Sequence, residues 1–286
     1  MQGLICRSEI RITNAHTCLM LCLFLVLSGC ASRRDTHEHL DGILWMQTSA
    51  EYKMLAQQQY RSAQDALDQA LDSKDASWSA AVEQTNALEH LPPAVILDID
   101  ETVLDNTAFE ASLAKERIPF DRQKFRKWVS KADALAVPGA VEFIHHARKR
   151  GVAVLFVTNR SEDEESDTRK NLERLGIDLP IDVDPILSNH ERPFNWPSDK
   201  KDRRRFLAEK YRILLLVGDD LADFVSVESN EPDRRNEIAG QHRDKWGKTW
   251  FLIPNPLYGS WELALYPKGL TDTEILAKKR ELLRSY

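Results

Sequence analysis

Four short apolar runs recur along the chain after residue 92, and each predicts a buried strand. The runs are apolar throughout rather than alternating, which is typical of strands covered on both faces, as in parallel sheets. They are Ala94–Leu97, Val152–Val157, Ile213–Val217 and Thr249–Ile253. Helical stretches separate these runs, and this alternation predicts a doubly wound α/β domain with a mostly parallel, Rossmann-like sheet.

Apolar residues at helical spacing predict the connecting helices. These cover Val141–Lys149, Glu162–Leu175 and Lys200–Glu209, and a glycine closes each of the first two. Ser161 and Glu164 have the spacing of a capping box, which would satisfy the first backbone N–H groups of the second helix.

The segment before residue 92 has a different pattern. It is polar, rich in Ala and Gln, and contains no Gly or Pro between Gly42 and Pro92. Apolar residues recur at mostly helical spacing from Leu40 to Leu71, which predicts two or three amphipathic helices. We expect these helices to serve in packing and as a spacer, with a binding module as the alternative. The predicted divisions are therefore 1–29, 30–91 and 92–286.

The N-terminus has the pattern of a secretory signal. Leu19–Leu27 is almost wholly apolar, follows Arg7 and Arg11, and leads into small residues. It is too short to span a bilayer, which needs about 20 apolar residues. Leu27–Cys30, "LSGC", resembles a bacterial lipobox and predicts cleavage after residue 29 with lipid on Cys30. An ordinary signal peptide with an incidental cysteine is the alternative.

Cysteine usage and charge agree with export. Of the four cysteines only Cys30 would remain in the mature chain, so no disulfide could form within it. Its membrane attachment would depend on the lipid, and the predicted location is the cell envelope. Ala31 after the cysteine favours the outer membrane if the host is Gram-negative, by resemblance to lipoprotein sorting.

The composition excludes several classes of protein. The 286 residues are 42% hydrophobic and 29% charged, which is typical of a soluble globular protein. The formal net charge of −6 argues against a general nucleic-acid binder, so we expect no nucleic-acid partner. The sequence leaves the oligomeric state open, a homo-oligomer included.

Polar side chains follow three of the predicted strands, at the point where each strand ends. In doubly wound sheets the site lies beyond the carboxyl ends of the strands, so these side chains are expected to converge. They are Asp98 and Asp100 after the first strand, Thr158, Asn159 and Arg160 after the second, and Asp219 and Asp223 after the third, with Lys200 opening the helix before it.

This set of side chains predicts metal-assisted phosphoryl transfer. Aspartates packed together repel one another and would be forced to bind protons unless a cation neutralises them. Mg²⁺ suits a site of two or three carboxylates. Asp98 can then attack phosphorus while Lys200 offsets charge on the transferring group. Asp100 is placed to protonate the leaving oxygen and later to activate water.

Four segments resemble the motifs of the haloacid dehalogenase (HAD) superfamily of phosphohydrolases. They are "DIDETVLDN", "VTNR", "SDKKDRR" and "GDDLADF". A fifth segment, "PNPLYGSWE" (Pro254–Glu262), narrows the resemblance to the class C bacterial acid phosphatases, many of which are surface lipoproteins. The resemblance covers roughly residues 92–262 and implies a HAD-like domain with a cap insert at about 107–137.

The resemblance implies a role for each matching residue. Asp98 corresponds to the nucleophile that forms an aspartyl-phosphate and also binds Mg²⁺. Asp100 corresponds to the acid/base, with its backbone carbonyl on the metal. Asp219 corresponds to a metal ligand, and Asp223 to a further ligand or a group behind it. Thr158 corresponds to the phosphate-binding hydroxyl.

The third motif leaves a choice between two lysines. Lys200 has the Lys-x-x-Arg spacing with Arg203, and the adjacent Lys201 is the alternative for phosphate binding. The other basic residues of "KKDRRR" are expected at the surface. Asn159 and Arg160 are expected to bind substrate.

The resemblance also implies a nucleoside monophosphate as the substrate. Phe125 and Tyr258 correspond to two aromatic positions that hold a nucleobase in the family, and stacking tolerates different bases. The alternative is that both rings are ordinary core residues. A different function, a surface binding or adhesion lipoprotein with a vestigial site, predicts loss of a nucleophile, acid or metal carboxylate, and the sequence retains all three.

Overall fold

In the computed structural model of the chain, seven strands form two sheets within the described residues. In chain order they are β1 (Pro93–Leu97), β2 (Leu104–Asp105), β3 (Leu135–Ala136), β4 (Ala153–Ser161), β5 (Ile186–Asn189), β6 (Arg212–Gly218) and β7 (Trp250–Leu252). The larger sheet is parallel, with the order β5-β4-β1-β6-β7, and β2 pairs with β3 in an antiparallel arrangement. This order confirms the predicted doubly wound fold.

The structure describes residues 39–73, 78–85, 88, 90–180, 183–227 and 231–286. They belong to one compact unit. The predicted signal peptide and the predicted lipid site at Cys30 lie outside the described residues. None of the helices in the described ranges is long and apolar enough to cross a bilayer.

All four predicted strands are present, as β1, β4, β6 and β7, with two differences. β4 is longer than predicted, since it runs through residues 158–160 to Ser161, so the polar "TNR" segment lies within the strand and not after it. The sequence does not predict β5, because its apolar run is only Ile186-Leu187. This strand nevertheless pairs in parallel with β4 at the edge of the sheet.

The helices agree with the predicted pattern. Three predicted helices correspond to α5, α6 and α7, and two N-terminal amphipathic helices are present. In chain order the helices are α1 (Leu40–Thr48), α2 (Ala50–Asp72), α3 (Thr107–Glu116), α4 (Arg122–Val129), α5 (Ala140–Lys149), α6 (Glu165–Arg174), α7 (Lys201–Ala208), α8 (Leu221–Phe224), α9 (Pro232–Gln241), α10 (Ser260–Leu263) and α11 (Asp272–Glu281). The predicted capping box of Ser161 and Glu164 is present, at a 3₁₀ turn before α6.

Apolar side chains cover both faces of the parallel sheet. Along β1, Val95 and Leu97 belong to one core cluster, whereas Ala94 and Ile96 belong to another. Alternate residues of a strand point to opposite faces, so both faces of β1 are buried. This burial is the physical reason for the uninterrupted apolar runs in the sequence.

Helix α2 packs directly onto the sheet domain. Ala56, Ala63 and Leu67 belong to the same core cluster as Val95 of β1. The Tyr60 hydroxyl donates a hydrogen bond to the Thr102 carbonyl at 2.6 Å, close to the end of that strand. The predicted helical region before residue 92 is therefore a distinct segment of sequence but part of the same folding unit.

Candidate active site

A cavity of about 850 Å³ lies at the carboxyl ends of the parallel strands. Its walls come from the strand ends, from the segment 107–137 and from the C-terminal residues. Most of the predicted site residues meet there, since the cavity is lined by Asp98, Asp100, Phe125, Asn159, Arg160, Lys200, Asp219, Asp223 and Tyr258. The parallel sheet brings them together because its strands end at one edge.

Three carboxylates form the centre of the site. One oxygen each of Asp98, Asp219 and Asp223 lies within 4.8 Å of the other two. The Lys200 ammonium donates hydrogen bonds to Asp98 and, at 2.6 Å, to Asp223. Lys200 is the N-cap residue of α7, so the start of that helix delivers the positive charge to the carboxylates.

The carboxylates carry more negative charge than the lysine offsets. Burial raises the pKa of Asp98 to about 7, against the lowering effect of Lys200, and Asp223 and Asp100 add to the rise. Burial, together with Asp223 and Asp98, raises the pKa of Asp219 well above its usual range. Burial lowers the pKa of Lys200, but Asp223 and Asp98 raise it more. The lysine therefore stays charged, and the site can accept a further cation.

Asp223 also holds the loop that follows β6. Its Oδ2 atom accepts hydrogen bonds from the backbone N–H groups of Asp219 at 3.1 Å and Asp220 at 3.0 Å. A Cβ atom at Gly218 would lie only 2.3 Å from that oxygen, so glycine is required for this close approach. In the "GDD" sequence, Asp219 therefore supplies one carboxylate of the cluster, and Gly218 leaves the space that the carboxylate of Asp223 occupies.

Asp100 lies outside the three-carboxylate cluster and has its own partners. The Arg160 guanidinium donates to it at 2.7 Å and 3.0 Å, and the Asn106 amide donates at 2.8 Å. Arg160 also donates to the Thr168 hydroxyl at 3.1 Å. Although Arg160 lines the cavity, its N–H groups are directed to these protein partners, and the side chain orients Asp100.

Comparison with known proteins places this site in a family. The profile of the "HAD superfamily, subfamily IIIB (Acid phosphatase)" matches residues 31–261. The chain belongs to this family of acid phosphatases.

Comparison with solved structures specifies the class of acid phosphatase that the chain resembles. The phosphatase is 31% identical to the class C acid phosphatase from Bacillus anthracis, with a TM-score of 0.76 over 88% of this chain and 98% of that chain. A structure of the Bacillus anthracis enzyme with tungstate bound has the same identity and coverage and a TM-score of 0.74. These matches confirm the predicted resemblance to class C acid phosphatases and the prediction of a phosphomonoesterase.

Plant proteins are more distant relatives of this phosphatase. A stem 31 kDa glycoprotein of Glycine max is 26% identical over 190 residues, which are 65% of this chain and 67% of the relative. Acid phosphatase 1 of Solanum lycopersicum is 26% identical over 166 residues, which are 57% of each chain.

Two arginines of the third motif have a different environment from the one predicted. Arg203 and Arg204 are fully buried in the phosphatase, so the prediction of a surface position was wrong. Arg203 donates to the Thr158 carbonyl and, at 2.7 Å, to the Asn159 side chain. Arg204 forms a buried ion pair with Glu83 at 2.7 Å. Because both guanidiniums have partners within the protein, burial is possible for these charged groups.

Thr158 and Asn159 occupy different positions relative to the cavity. The Thr158 side chain is fully buried, and its hydroxyl accepts a hydrogen bond from the Arg160 backbone N–H at 3.1 Å. It does not line the cavity as the protein stands, whereas the exposed Asn159 does. The role of Thr158 in phosphate binding stays a prediction.

Lys200 and Lys201 are predicted to differ sharply in their effect on phosphatase activity. Lys200 is buried against two carboxylates, whereas Lys201 is exposed on α7. Because the Lys200 ammonium is a buried charged donor to Asp98, the predicted nucleophile, Lys200→Ala should lower kcat at least about 100-fold. Lys201→Ala is the matched control and should stay close to the parent in p-nitrophenyl phosphate hydrolysis. A larger loss for Lys201→Ala than for Lys200→Ala would reverse this assignment.

The two predicted aromatic positions have unequal exposure. Phe125 is 7% exposed and packs edge-to-face on Phe109, with a centroid separation of 5.3 Å. Tyr258 lines the cavity and is only partly buried. Phe120, which the sequence analysis did not single out, also lines the cavity. Its ring packs against Phe109 and Phe125, but 59% of the residue is exposed and can meet a ligand.

Two further polar residues that the sequence analysis missed orient the site. The Asn255 amide donates to Asp219 at 2.8 Å. Asp220 accepts a hydrogen bond from the Ser260 backbone N–H at 2.6 Å and thereby anchors the loop that carries Tyr258. Asn255 and Ser260 belong to the "PNPLYGSWE" segment, so the signal was present, but the segment alone does not reveal which carboxylates it meets.

Proposed function

We propose that this acid phosphatase is Mg²⁺-dependent and hydrolyses phosphomonoesters, chiefly nucleoside 5′-monophosphates, through an aspartyl-phosphate on Asp98. The observation that carries the proposal is the placement of Asp98. Its carboxylate is buried at the cavity, bound by the Lys200 ammonium, and grouped with two further carboxylates. A nucleophile, a charged donor and a set of oxygen ligands thus share one centre.

The residues present fit a magnesium ion. Mg²⁺ takes oxygen ligands, usually one or two carboxylates completed by water and phosphate. Asp98, Asp219 and Asp223 offer three carboxylate oxygens within 4.8 Å of one another. Lys200 competes for Asp98 and Asp223, so Asp219 is the carboxylate most available to a cation. When bound, the ion would offset the charge on these carboxylates and on the transferring phosphoryl group.

The chain's own residues account for both proton transfers. An Asp98 oxygen attacks phosphorus as the bond from phosphorus to the ester oxygen breaks, and Asp100 in its acid form donates a proton to that oxygen. The products of this step are the free alcohol and the aspartyl-phosphate. Asp100 then takes a proton from a water molecule whose oxygen attacks phosphorus. The bond from phosphorus to Asp98 breaks, which releases inorganic phosphate and restores both aspartates.

A metal titration tests this proposal. We expect p-nitrophenyl phosphate hydrolysis to stop with a chelator and to return with Mg²⁺. Acid quench during turnover of a ³²P-labelled substrate should trap label on the protein as an acyl phosphate. Full activity in excess chelator would overturn the metal dependence. A vestigial site, as in a surface binding protein, predicts no turnover with any divalent ion.

The tungstate complex of the Bacillus anthracis enzyme supports an oxyanion site in this family. Tungstate is a tetrahedral oxyanion, as phosphate is. In the present chain the Lys200 ammonium is the buried cation beside the proposed nucleophile, so it is the group we propose for binding the phosphoryl oxygens.

Nucleotide preference is proposed from the apolar and aromatic walls of the cavity. Tyr258→Ala and Phe120→Ala should each raise KM for a 5′-nucleotide by about 5- to 150-fold, since stacking a base is worth about 1–3 kcal/mol. KM for a small aliphatic phosphate should change much less, because it has no ring to stack. Phe125 also lines the cavity, but only 7% of it is exposed, so Phe125→Ala should mainly lower Tm and have the smaller effect on KM. Equal losses on both substrates would rule out stacking.

Attachment to the cell envelope is proposed from the lipobox-like sequence at Cys30. Cys30→Ser should prevent lipid addition and leave the chain unlabelled by radioactive palmitate in cells, while the parent is labelled. The parent should sediment with membranes and enter the detergent phase in Triton X-114 partition. Equal labelling of parent and Cys30→Ser would contradict a lipid on this residue.

A further inference from the structure

Glu110 is a buried carboxylate at the cavity wall that the proposed reaction does not use. It lies in the first turn of α3, only 8% of its surface is exposed, and it lines the same cavity as Asp98. No side-chain hydrogen bond or ion pair reaches its carboxylate from the described residues. Its carboxylate oxygens are not among the fully enclosed unpaired atoms of the described residues, so they remain in contact with the cavity. A ligand that displaces water from them must supply a hydrogen-bond donor, because a buried carboxylate without a partner is costly.

The neighbouring carboxylate, Glu262, is in the opposite situation. It accepts hydrogen bonds from the Lys279 ammonium and, at 3.2 Å, from the Tyr266 hydroxyl, and His39 lies at 3.7 Å. Burial raises the pKa of Glu262, but His39 and Lys279 lower it more, to about 2. Glu262 therefore has its partners within the protein, whereas Glu110 retains open acceptor positions.

The other walls of the cavity that Glu110 lines restrict the kind of ligand that could supply a partner. Leu113, Phe120, Leu263 and Leu276 contribute apolar surface to the cavity. Binding pockets commonly combine such walls with a few polar groups that fix the orientation of the ligand. Burial raises the pKa of Glu110 to about 7, with His39 acting to lower it and Glu262 to raise it. The group can accept a hydrogen bond in either protonation state.

We infer that Glu110 is a specificity residue, which accepts a hydrogen bond from an N–H or O–H group on the organic part of the substrate. The ligand class is a phosphomonoester with a ring or chain that meets the apolar walls and carries such a donor. This inference rests on the proposed function, since it assumes that the phosphate is bound at Asp98. A site built around a buried acceptor disfavours analogues that lack the donor, because its carboxylate is then left without a partner.

Matched substrate pairs test the inference at fixed neutral pH. One pair is tyramine phosphate and 4-ethylphenyl phosphate, which differ in a terminal amine. Two nucleotide pairs compare adenosine 5′-monophosphate with its purine riboside and 3′-deoxy analogues. We expect the parent to prefer the donor-bearing member of at least one pair by about 10- to 100-fold in kcat/KM. Glu110→Ala should reduce this ratio to near one.

Two control variants distinguish loss of the Glu110 acceptor from a general change in folding or charge. Glu110→Gln keeps the shape and one acceptor oxygen, so it should retain part of the preference for a neutral donor and lose most of that for the amine. Asp272→Ala removes an exposed carboxylate that also lines the cavity and should keep the parent's ratio.

The outcomes separate this inference from the proposed function. A ratio near one for every pair in the parent, or an unchanged ratio in both Glu110 variants, would overturn the inference. Turnover of the aryl pair without turnover of nucleotides would overturn the nucleotide substrate alone, and the aryl ratio would then decide the role of Glu110. If no pair is hydrolysed, the proposed function and this inference both fail.

Discussion

Replacement of Asp98 by asparagine is expected to lower kcat by about 10⁴- to 10⁶-fold, the scale observed when an enzyme loses its nucleophile. Asn has nearly the same shape but lacks the negative charge that attacks phosphorus. The fold should survive, because the change removes one of three mutually repelling carboxylates, two of which are buried, and Lys200 keeps Asp223 as a partner. The measurements are single-turnover hydrolysis of p-nitrophenyl phosphate and the thermal unfolding curve.

Asp202→Asn is the matched control for this change. Asp202 lies on the same helix as the third-motif basic residues, and about half of its side chain is exposed. The Asp202→Asn substitution removes one negative charge, as Asp98→Asn does, and should leave kcat close to that of the parent. Activity of Asp98→Asn within tenfold of the parent, with a native unfolding curve, would contradict an aspartyl-phosphate on Asp98.

Asp219→Asn is expected to weaken Mg²⁺ binding at least about 100-fold and to lower kcat at saturating substrate. Loss of a group behind a metal ligand typically costs 10- to 100-fold in metal affinity, so loss of the ligand itself should cost at least as much. Of the three carboxylates, Asp219 is the best placed to bind a metal ion, because Lys200 donates to the other two and the Asn255 amide orients Asp219.

Two readouts separate metal binding from turnover for this variant. Calorimetric titration with Mg²⁺ in the absence of substrate measures the affinity directly, and Asp202→Asn again serves as the charge control. An activity titration should show that a higher Mg²⁺ concentration is needed for half-maximal rate. An unchanged calorimetric affinity would show that Asp219 is not a ligand.

The conformation of the loop after β1 determines the position of Asp100, the proposed acid. Glu101 has a left-handed backbone, with φ of 54°, and is fully buried. Its carboxylate accepts hydrogen bonds from the Asn106 backbone N–H at 2.8 Å and from the Asn106 amide at 3.2 Å. Asn106 in turn donates to Asp100, so a strained turn and its partner set the position of the proposed acid.

Much of the fold could be predicted from local sequence because burial leaves a local pattern. β1 is covered on both faces, and its residues are accordingly apolar without alternation. The weakest case, β5, has only two apolar residues in sequence, and its existence depends on the exposed backbone edge of β4. A strand whose main stabilisation is a neighbouring edge has little signal of its own.

The candidate site divides in the same way. Asp98, Asp100 and Asp219 could be named from sequence, because each follows a predicted strand and parallel strands end at one edge of the sheet. The spacing to Arg203 favoured Lys200 but left Lys201 open, because the partner that distinguishes the two lysines, Asp98, is 102 positions away in sequence. The open acceptor of Glu110 is likewise a property of packing, because it depends on which side chains fail to reach it.

The sequence by itself determined the class of fold, the positions along the chain of the strands that precede the site residues, and the residue types at the ends of those strands. Tertiary structure alone decided the burial of Arg203 and Arg204, the exposure of Phe120 relative to Phe125, and the pairing of Arg160 with Asp100. The physical reason is the range of the interactions. Periodicity and strand-end position depend on residues a few places apart, whereas charge pairing and side-chain exposure depend on segments that meet only when the chain is folded.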